Sequence, residues 1–101
     1  MSAEPIVVSL PRDLRDLLPV FMAQRKSDLA ILATALPARD FEAIRRVGHG
    51  MTGSGASYGF DALTALGECI VVAGHAGDVA ALATLTAALD DYLARLVVKY
   101  V

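Results

Sequence analysis

The chain has 101 residues, of which 55% are hydrophobic and 20% charged, and its formal net charge is -2. This length suits a single domain with one core, and the hydrophobic fraction excludes an intrinsically disordered chain. The slightly acidic balance predicts neither a nucleic-acid partner nor binding to an anionic membrane, because both need a basic patch.

Apolar residues recur at spacings of three and four along most of the chain, which is typical of helices, and no segment alternates like a strand. A short helix is expected after Pro11. The next helix should have Pro19 in its first turn and end at Pro37. For the third helix we expect Asp40 as the N-cap and Gly59 as a left-handed end.

Asp61 is expected to open the fourth helix, with Gly74 as its terminator, and Asp78 to open the fifth. The apolar stripe of the fifth helix continues almost to the end of the chain, as far as Tyr100. Short connections between four substantial helices force neighbours to run antiparallel. The predicted fold is therefore all-α, an antiparallel up-down-up-down four-helix bundle with a short extra N-terminal helix, in one domain.

The segment GHGMTGSGASYG, from Gly48 to Gly59, holds five glycines in twelve residues. Gly48, Gly50 and Gly53 fit the dinucleotide pattern G-x-G-x-x-G, but that fold needs a strand first, and the preceding DFEAIRRV has helical spacing. A P-loop is excluded because no lysine follows Gly53. The glycines are therefore expected inside a helix, where each costs about 1 kcal/mol relative to alanine.

His49 lies opposite the stripe of this helix that would face the core, at about 100° per residue. That stripe comprises Ile44, Val47, Met51, Ser54 and Tyr58. Arg45 and Arg46 share the solvent side one turn before the histidine, and the small residues Thr52 and Gly53 follow it. A neutral imidazole is a nucleophile near pH 7 and can form a covalent intermediate. The surface therefore suits attack by His49 on a bulky anionic group.

The run from His49 through Met51 and Gly53 to Gly59 resembles the signature of the histidine-containing phosphotransfer (HPt) domain, usually H-x-L-K-G with a further glycine six residues on. The resemblance covers residues 12–96. It implies a four-helix bundle that relays a phosphoryl group between its histidine and an aspartate of a receiver domain. His49 would be the phosphorylated residue, and Gly53 would leave room for the phosphoryl group.

The resemblance also implies the partners, which would be response-regulator receiver domains and a hybrid histidine kinase. The protein would need no cofactor or metal of its own, since the receiver would supply Mg²⁺, and it would have no ATP-dependent kinase activity. We expect a monomer, because no second apolar stripe is obvious along the helices.

One departure from the family pattern concerns charge at the site. The usual lysine, three residues after the histidine, is Thr52 here. Arg45 lies on nearly the same line of the helix, on the other side of His49, and its planar guanidinium suits phosphate oxygens. We expect Arg45 to restore the missing charge, with Arg46 on the other flank and of less importance.

Other interpretations of the same residues remain open or are disfavoured. A non-catalytic helical module of the same family, which binds receivers without relaying phosphate, is the main alternative. A histidine-kinase dimerisation domain is disfavoured, because Gly50 rather than an acidic residue follows His49 and the remaining 52 residues cannot hold an ATP-binding domain. A zinc site of His49, His75 and Cys69 is not expected, since no close ligand pair is present.

Two further residues have structural roles as the preferred interpretation. His75 is expected in an exposed loop with no part in transfer, and Phe41 is expected to pack between helices rather than to join a receiver-docking patch. A cytoplasmic protein is expected, because the N-terminal sequence does not resemble a secretory signal and no apolar run approaches the roughly 18 residues of a membrane span.

Overall fold

Four α-helices account for most of residues 4–101, the part of the chain that this computed structural model describes. They are α1 (Leu18–Ala35), α2 (Phe41–Tyr58), α3 (Asp61–Ala76) and α4 (Val79–Arg95). A 3₁₀ turn at Arg12–Leu14 precedes α1, and two short strands, β1 (Ile6–Leu10) and β2 (Leu96–Tyr100), flank the helices in sequence. The predicted helical class is confirmed, with strands added.

The caps expected for α2 and α4 are present. The Asp40 carboxylate accepts a hydrogen bond from the backbone N–H of Ala43 at 3.2 Å, and Asp78 accepts one from Ala81 at 3.1 Å. These bonds satisfy backbone donors that the first helical turn leaves unpaired. Gly59 ends α2 in the left-handed conformation, with φ of 79°. The predictions for these three positions are confirmed.

The predicted end of α3 at Gly74 is wrong. Gly74 is buried within the helix, which continues to Ala76, and Gly77 forms the left-handed cap with φ of 64°. Gly74 is a packing position, because a Cβ atom there would lie 2.8 Å from the Cγ atom of Arg45 in α2. His75 consequently lies in the last turn of α3 and not in a loop.

The expectation that no segment forms a strand is also wrong. β1 pairs with β2 in parallel, in a register that runs from Ile6 opposite Leu96 to Leu10 opposite Tyr100. Both strands contain adjacent valines, whose β-branched side chains favour extended backbone. α4 therefore stops at Arg95, and its apolar stripe does not continue as a helix to the chain end.

The N-terminal segment differs from expectation as well. A short helix was expected after Pro11, and the structure has there a single 3₁₀ turn of three residues, Arg12–Leu14. This turn connects the end of β1 to the start of α1, so the chain has little room for a longer helix between them.

The core lies between the helices and extends beneath the inner face of the sheet. Phe21 of α1 stacks on Phe60 with ring centroids 4.8 Å apart and contacts Tyr58 at 4.6 Å. The start of α1 therefore meets the turn between α2 and α3. Leu10 of β1 is only 1% exposed and belongs to the same buried cluster. In the described part of the chain, no helix has the length and hydrophobicity required to span a bilayer.

Candidate functional site

The candidate site lies on α2, at its most glycine-rich stretch. His49 occupies the middle of this 18-residue helix and is exposed, as predicted, whereas the opposite stripe is buried at Ile44, Val47 and Met51. A helix of this length, capped at both ends, holds the imidazole on regular backbone away from any frayed terminus.

The glycines on the buried side of α2 allow an unusually close approach to α3. A Cβ atom on Gly48 would lie 2.8 Å from the backbone oxygen of Gly67, and one on Gly67 would lie 2.6 Å from the oxygen of Gly48. Real Cβ atoms essentially never approach so closely. Gly48 is thus a packing position, and Gly67 is its partner on α3.

The same contact continues along both helices. A Cβ atom on Gly55 would lie 2.8 Å from the backbone nitrogen of Thr64, and Gly74 lies against Arg45 at the other end of the pair. The order of these contacts means that α2 and α3 run in opposite directions. The close packing of α3 against the buried side of α2 therefore supports the helix whose exposed side carries His49.

The glycines on the exposed side of α2 face open space in the part of the chain that the structure describes. A Cβ atom at Gly50 or at Gly53 would meet nothing within 4 Å. Open space therefore lies directly after His49 and one turn further along the helix, so a bulky group can approach the imidazole from this side. The space at Gly53 is compatible with the role that the family resemblance implies for this glycine. Packing gives no reason for a glycine at Gly50.

Arg45 extends from α2 across the end of α3. Its side chain is half-buried, and its Nη1 atom donates a hydrogen bond of 3.4 Å to the backbone oxygen of Gly74. This distance is beyond the usual range for an N–H···O bond, so the contact is weak. The guanidinium thus lies close to the seam, the line of contact between α2 and α3. Its bond to Gly74 is weak enough to break when an anion approaches.

Arg46 takes the opposite flank of His49. It forms an ion pair with Glu42 one turn earlier, at 3.2 Å, and both side chains are about three-quarters exposed, at 76% and 77%. Exposed pairs of this kind contribute little to stability because water screens them. Arg46 is therefore available to a partner that brings a stronger anion.

Thr52 is half-buried in the seam between α2 and α3. Its hydroxyl donates a hydrogen bond of 3.0 Å to the backbone oxygen of Gly48. The same oxygen atom of Thr52 would lie 2.7 Å from a Cβ atom on Gly67. The side chain is thus held within the helix pair, where it provides neither a charge nor a free hydroxyl to His49.

A buried ion pair that the sequence analysis missed lies in α1. The side chains of Arg25 and Asp28 are only 3% and 5% exposed, and Arg25 Nε lies 2.7 Å from Asp28 Oδ2. Gln24 donates a further hydrogen bond to Asp28. Their positions between Phe21 and Leu32 on the buried stripe of α1 are the signal that would have found them.

This ion pair lines a groove between α1 and α2, of about 230 Å³, on the flank of His49 that Arg46 and Gly50 occupy. Arg25 Nη1 is buried there without a hydrogen-bond partner among the described residues. Burial raises the pKa of Asp28, and the positive charge of Arg25 with the hydrogen bond from Gln24 opposes that rise. The groove thus places the polar side chains of Arg25 and Asp28 below the surface that carries His49.

The other candidate residues lie apart from this surface or have packing roles. Phe41 packs near Gly77, whose Cβ position would be 3.6 Å from the phenyl ring, and belongs to the rim of the core. Cys69 is exposed on α3. Within residues 4–101, no group of three or more metal-ligating side chains is close enough to hold an ion.

Comparison with known proteins gives one result. The model of the Hpt domain family matches residues 16–98, which is most of the chain and includes the whole of α2 and α3. No curated protein and no solved structure matches the chain.

Proposed function

Because this chain belongs to the Hpt domain family, whose members carry phosphoryl groups in two-component phosphorelays, we propose that His49 is its phosphorylated residue. It accepts a phosphoryl group from the aspartyl-phosphate of one receiver domain and passes it to an aspartate of another. The observation that carries this proposal is the exposed imidazole at the middle of α2, with open space at Gly50 and Gly53.

The transfer requires little more than a positioned nucleophile. The Nε2 lone pair of neutral His49 attacks the phosphorus atom, a P–N bond forms, and the P–O bond to the aspartate breaks to release a carboxylate. The reverse step passes the group to the next receiver. Mg²⁺ on the receiver would stabilise the charge of the transferring oxygens, and this chain would supply position.

The close packing of α2 on α3 supports this role. Gly48 precedes His49 directly, and its contact with Gly67 leaves α2 little freedom to shift when a receiver docks.

The proposal takes the four helices as an up-down-up-down bundle, which the opposed directions of α2 and α3 favour. We place the protein in the cytoplasm, with receiver domains and a hybrid histidine kinase as its partners.

Arg45 would provide the cation that Thr52 does not. Its weak bond to Gly74, at 3.4 Å, leaves it able to turn toward a phosphoryl group on His49. Arg46 and Gly53 would border the same group on its other sides. Charge-assisted hydrogen bonds of this kind are worth about 1.5 to 3 kcal/mol, less where water has access.

A second function is favoured by the partners that the site residues have in this structure. Thr52 bonds to Gly48, Arg45 to Gly74 and Arg46 to Glu42, so each has a partner other than His49. A module that binds receivers without taking phosphate would need no more than this surface.

Incubation with a receiver carrying labelled aspartyl-phosphate distinguishes the two functions. We expect an acid-labile, base-stable label on the wild-type protein and on His75→Gln, the matched control, and none on His49→Gln. A wild-type protein that binds the receiver without acquiring label would establish the binding module. Label that persists in His49→Gln would move the site to another residue.

A further inference from the structure

The two-stranded sheet leaves backbone hydrogen-bonding groups exposed at its edges. β1 and β2 pair only with each other in the described residues, so each strand has one open side. An edge strand of this kind is a template for a further strand, since its outward N–H and C=O groups are unpaired.

Two hydrogen bonds show which groups of β1 face outward. Val101 donates to the backbone oxygen of Leu10 at 2.9 Å, and Arg12 donates to the oxygen of Val101 at 3.3 Å. In a parallel ladder the residues that face the partner alternate with those that face away. Val7 and Ser9 therefore direct their N–H and C=O groups to the open edge, where no backbone partner lies among the described residues.

Between Pro5 and Pro11, the β1 edge lacks the charged side chains that often prevent association of edge strands. Its sequence, IVVSL, carries no charge, whereas β2 carries Lys99. Val7 is 53% exposed on the outer face of the sheet, next to Val97 at 41%. Charged side chains and bulges are the common protection of natural edge strands, and β1 has neither.

We propose that the open edge of β1 pairs with β1 of a second copy of this chain, antiparallel, to form a four-stranded sheet. A twofold axis at Val8 places Val7 opposite Ser9 of the second copy, and Ser9 opposite Val7 of the second copy. Both pairs exchange N–H···O bonds, because all of these groups face the edge. Association through this edge is independent of the chemistry proposed for His49.

The symmetry of the segment favours a second copy over another occupant. Pro5 and Pro11 lie three residues before and after Val8, so the axis places each proline opposite the other. Neither has an N–H, and the intermolecular ladder therefore ends at the same point on both sides. The uncharged strand has no repulsion to overcome against itself and offers no charge for a basic or acidic peptide to complement.

This inference differs from the expectation of a monomer. That expectation rested on the apolar stripes of the helices, and the interface proposed here belongs to a strand that the sequence pattern did not predict.

The register can be tested with paired charges, because residues 7 and 9 are exposed and face each other across the axis. In the double variant Val7→Glu, Ser9→Glu, a carboxylate faces another carboxylate in both of the cross-strand pairs. In Val7→Glu, Ser9→Lys, each of these pairs joins a carboxylate to an ammonium group. Sedimentation velocity from low micromolar to millimolar concentration measures the dimer. Ala80→Glu with Ala87→Glu, on the exposed side of α4, is the control for added negative charge.

We expect the wild-type protein, the Glu–Lys variant and the α4 control to dimerise, and the Glu–Glu variant to dissociate about tenfold more readily. Exchange of the Val7 and Ser9 amide protons should slow as wild-type concentration rises. A wild-type protein that stays monomeric, or equal dimerisation of the two strand variants, would overturn the proposal. Protection of these two amides only when a receiver domain is added would assign the edge to that partner instead.

Discussion

At the scale of single residues, the charge available to a phosphoryl group on His49 depends on Arg45 and Thr52. Both face the seam between α2 and α3, on either side of Gly48. We expect Arg45→Ala to slow phosphotransfer about tenfold, because one charge-assisted hydrogen bond to the transferring group is lost. Thr52→Lys in the Arg45→Ala background should restore part of the rate, since an ammonium then stands one turn after the histidine.

Arg46→Ala is the matched control, because it removes the same charge from the other flank of His49. Its rate should fall less than that of Arg45→Ala in single-turnover transfer from a labelled receiver. Equal rates for Arg45→Ala and the wild-type protein, with no gain from Thr52→Lys, would show that the site needs no such cation.

A second prediction at this scale concerns the buried pair of Arg25 and Asp28. Because burial raises the pKa of Asp28, the folded protein keeps this proton to a higher pH than the unfolded chain does. The ionised carboxyl therefore costs stability as the pH rises through the raised pKa, and the cost is absent below the usual value of 3.8. Arg25 limits that cost.

Arg25→Met should lower the free energy of unfolding by about 3 kcal/mol at neutral pH, since it leaves Asp28 buried and unpaired. The deficit should shrink in acid, where the carboxyl is neutral. Arg25→Met with Asp28→Leu should recover most of the loss. Urea unfolding of the three proteins at pH 7 and pH 4 measures this, and an equal deficit at both pH values would contradict the electrostatic explanation.

At the scale of elements, the pairing of α2 with α3 depends on glycines at which one helix closely approaches the other. Gly48 and Gly55 on α2, and Gly67 and Gly74 on α3, are each seven residues apart, or about two helical turns. This spacing puts the small residues of each helix on one line. Larger side chains anywhere along the line would push the helix that carries His49 away from its support.

Gly67→Ala should therefore lower the free energy of unfolding by about 2 kcal/mol, as overpacking of a rigid contact does. The added Cβ atom would meet backbone, at 2.6 Å from the Gly48 oxygen, and backbone cannot rotate aside. Gly50→Ala is the control: its Cβ atom would meet nothing, and helix propensity should stabilise it by up to about 1 kcal/mol. Thermal unfolding of both variants compares them, and the same sign of change in each would refute the packing account.

At the scale of the whole molecule, the sheet joins the two ends of the described chain. β1 precedes the four helices in sequence and β2 follows them, so their pairing holds the two ends of the helical segment together. Leu10, on the inner face of β1, is buried in the core, whereas Val7 is 53% exposed on the outer face. The two faces of one strand should thus differ in their importance for stability.

Leu10→Ala should lower the free energy of unfolding by about 3 kcal/mol, since it removes buried side-chain volume and leaves a cavity. Val7→Ala, in the same strand, should change it by less than about 0.5 kcal/mol. Urea unfolding monitored by circular dichroism measures both. Similar small effects at the two positions would mean that the sheet contributes nothing to the core.

The sequence by itself determined the features that depend on neighbours within a few residues. Helical spacing located α1 to α4, Asp40 and Asp78 indicated the N-caps of α2 and α4, and the helical wheel placed His49 on the exposed side of α2. Each of these signals acts within one or two helical turns, so the local chain carries the whole of it. The family signature around His49 is local in the same way.

The tertiary structure alone decided the features that depend on distant parts of the chain. β1 and β2 pair across nearly the full length of the sequence, and neither IVVSL nor LVVKY alternates strictly between apolar and polar residues. Gly74 looked like a helix end, because only the contact with Arg45 shows that the glycine is needed for packing. Arg25 and Asp28 share the helical spacing of the stripe that α1 buries, but only the assembled fold shows that both charged side chains are withdrawn from water.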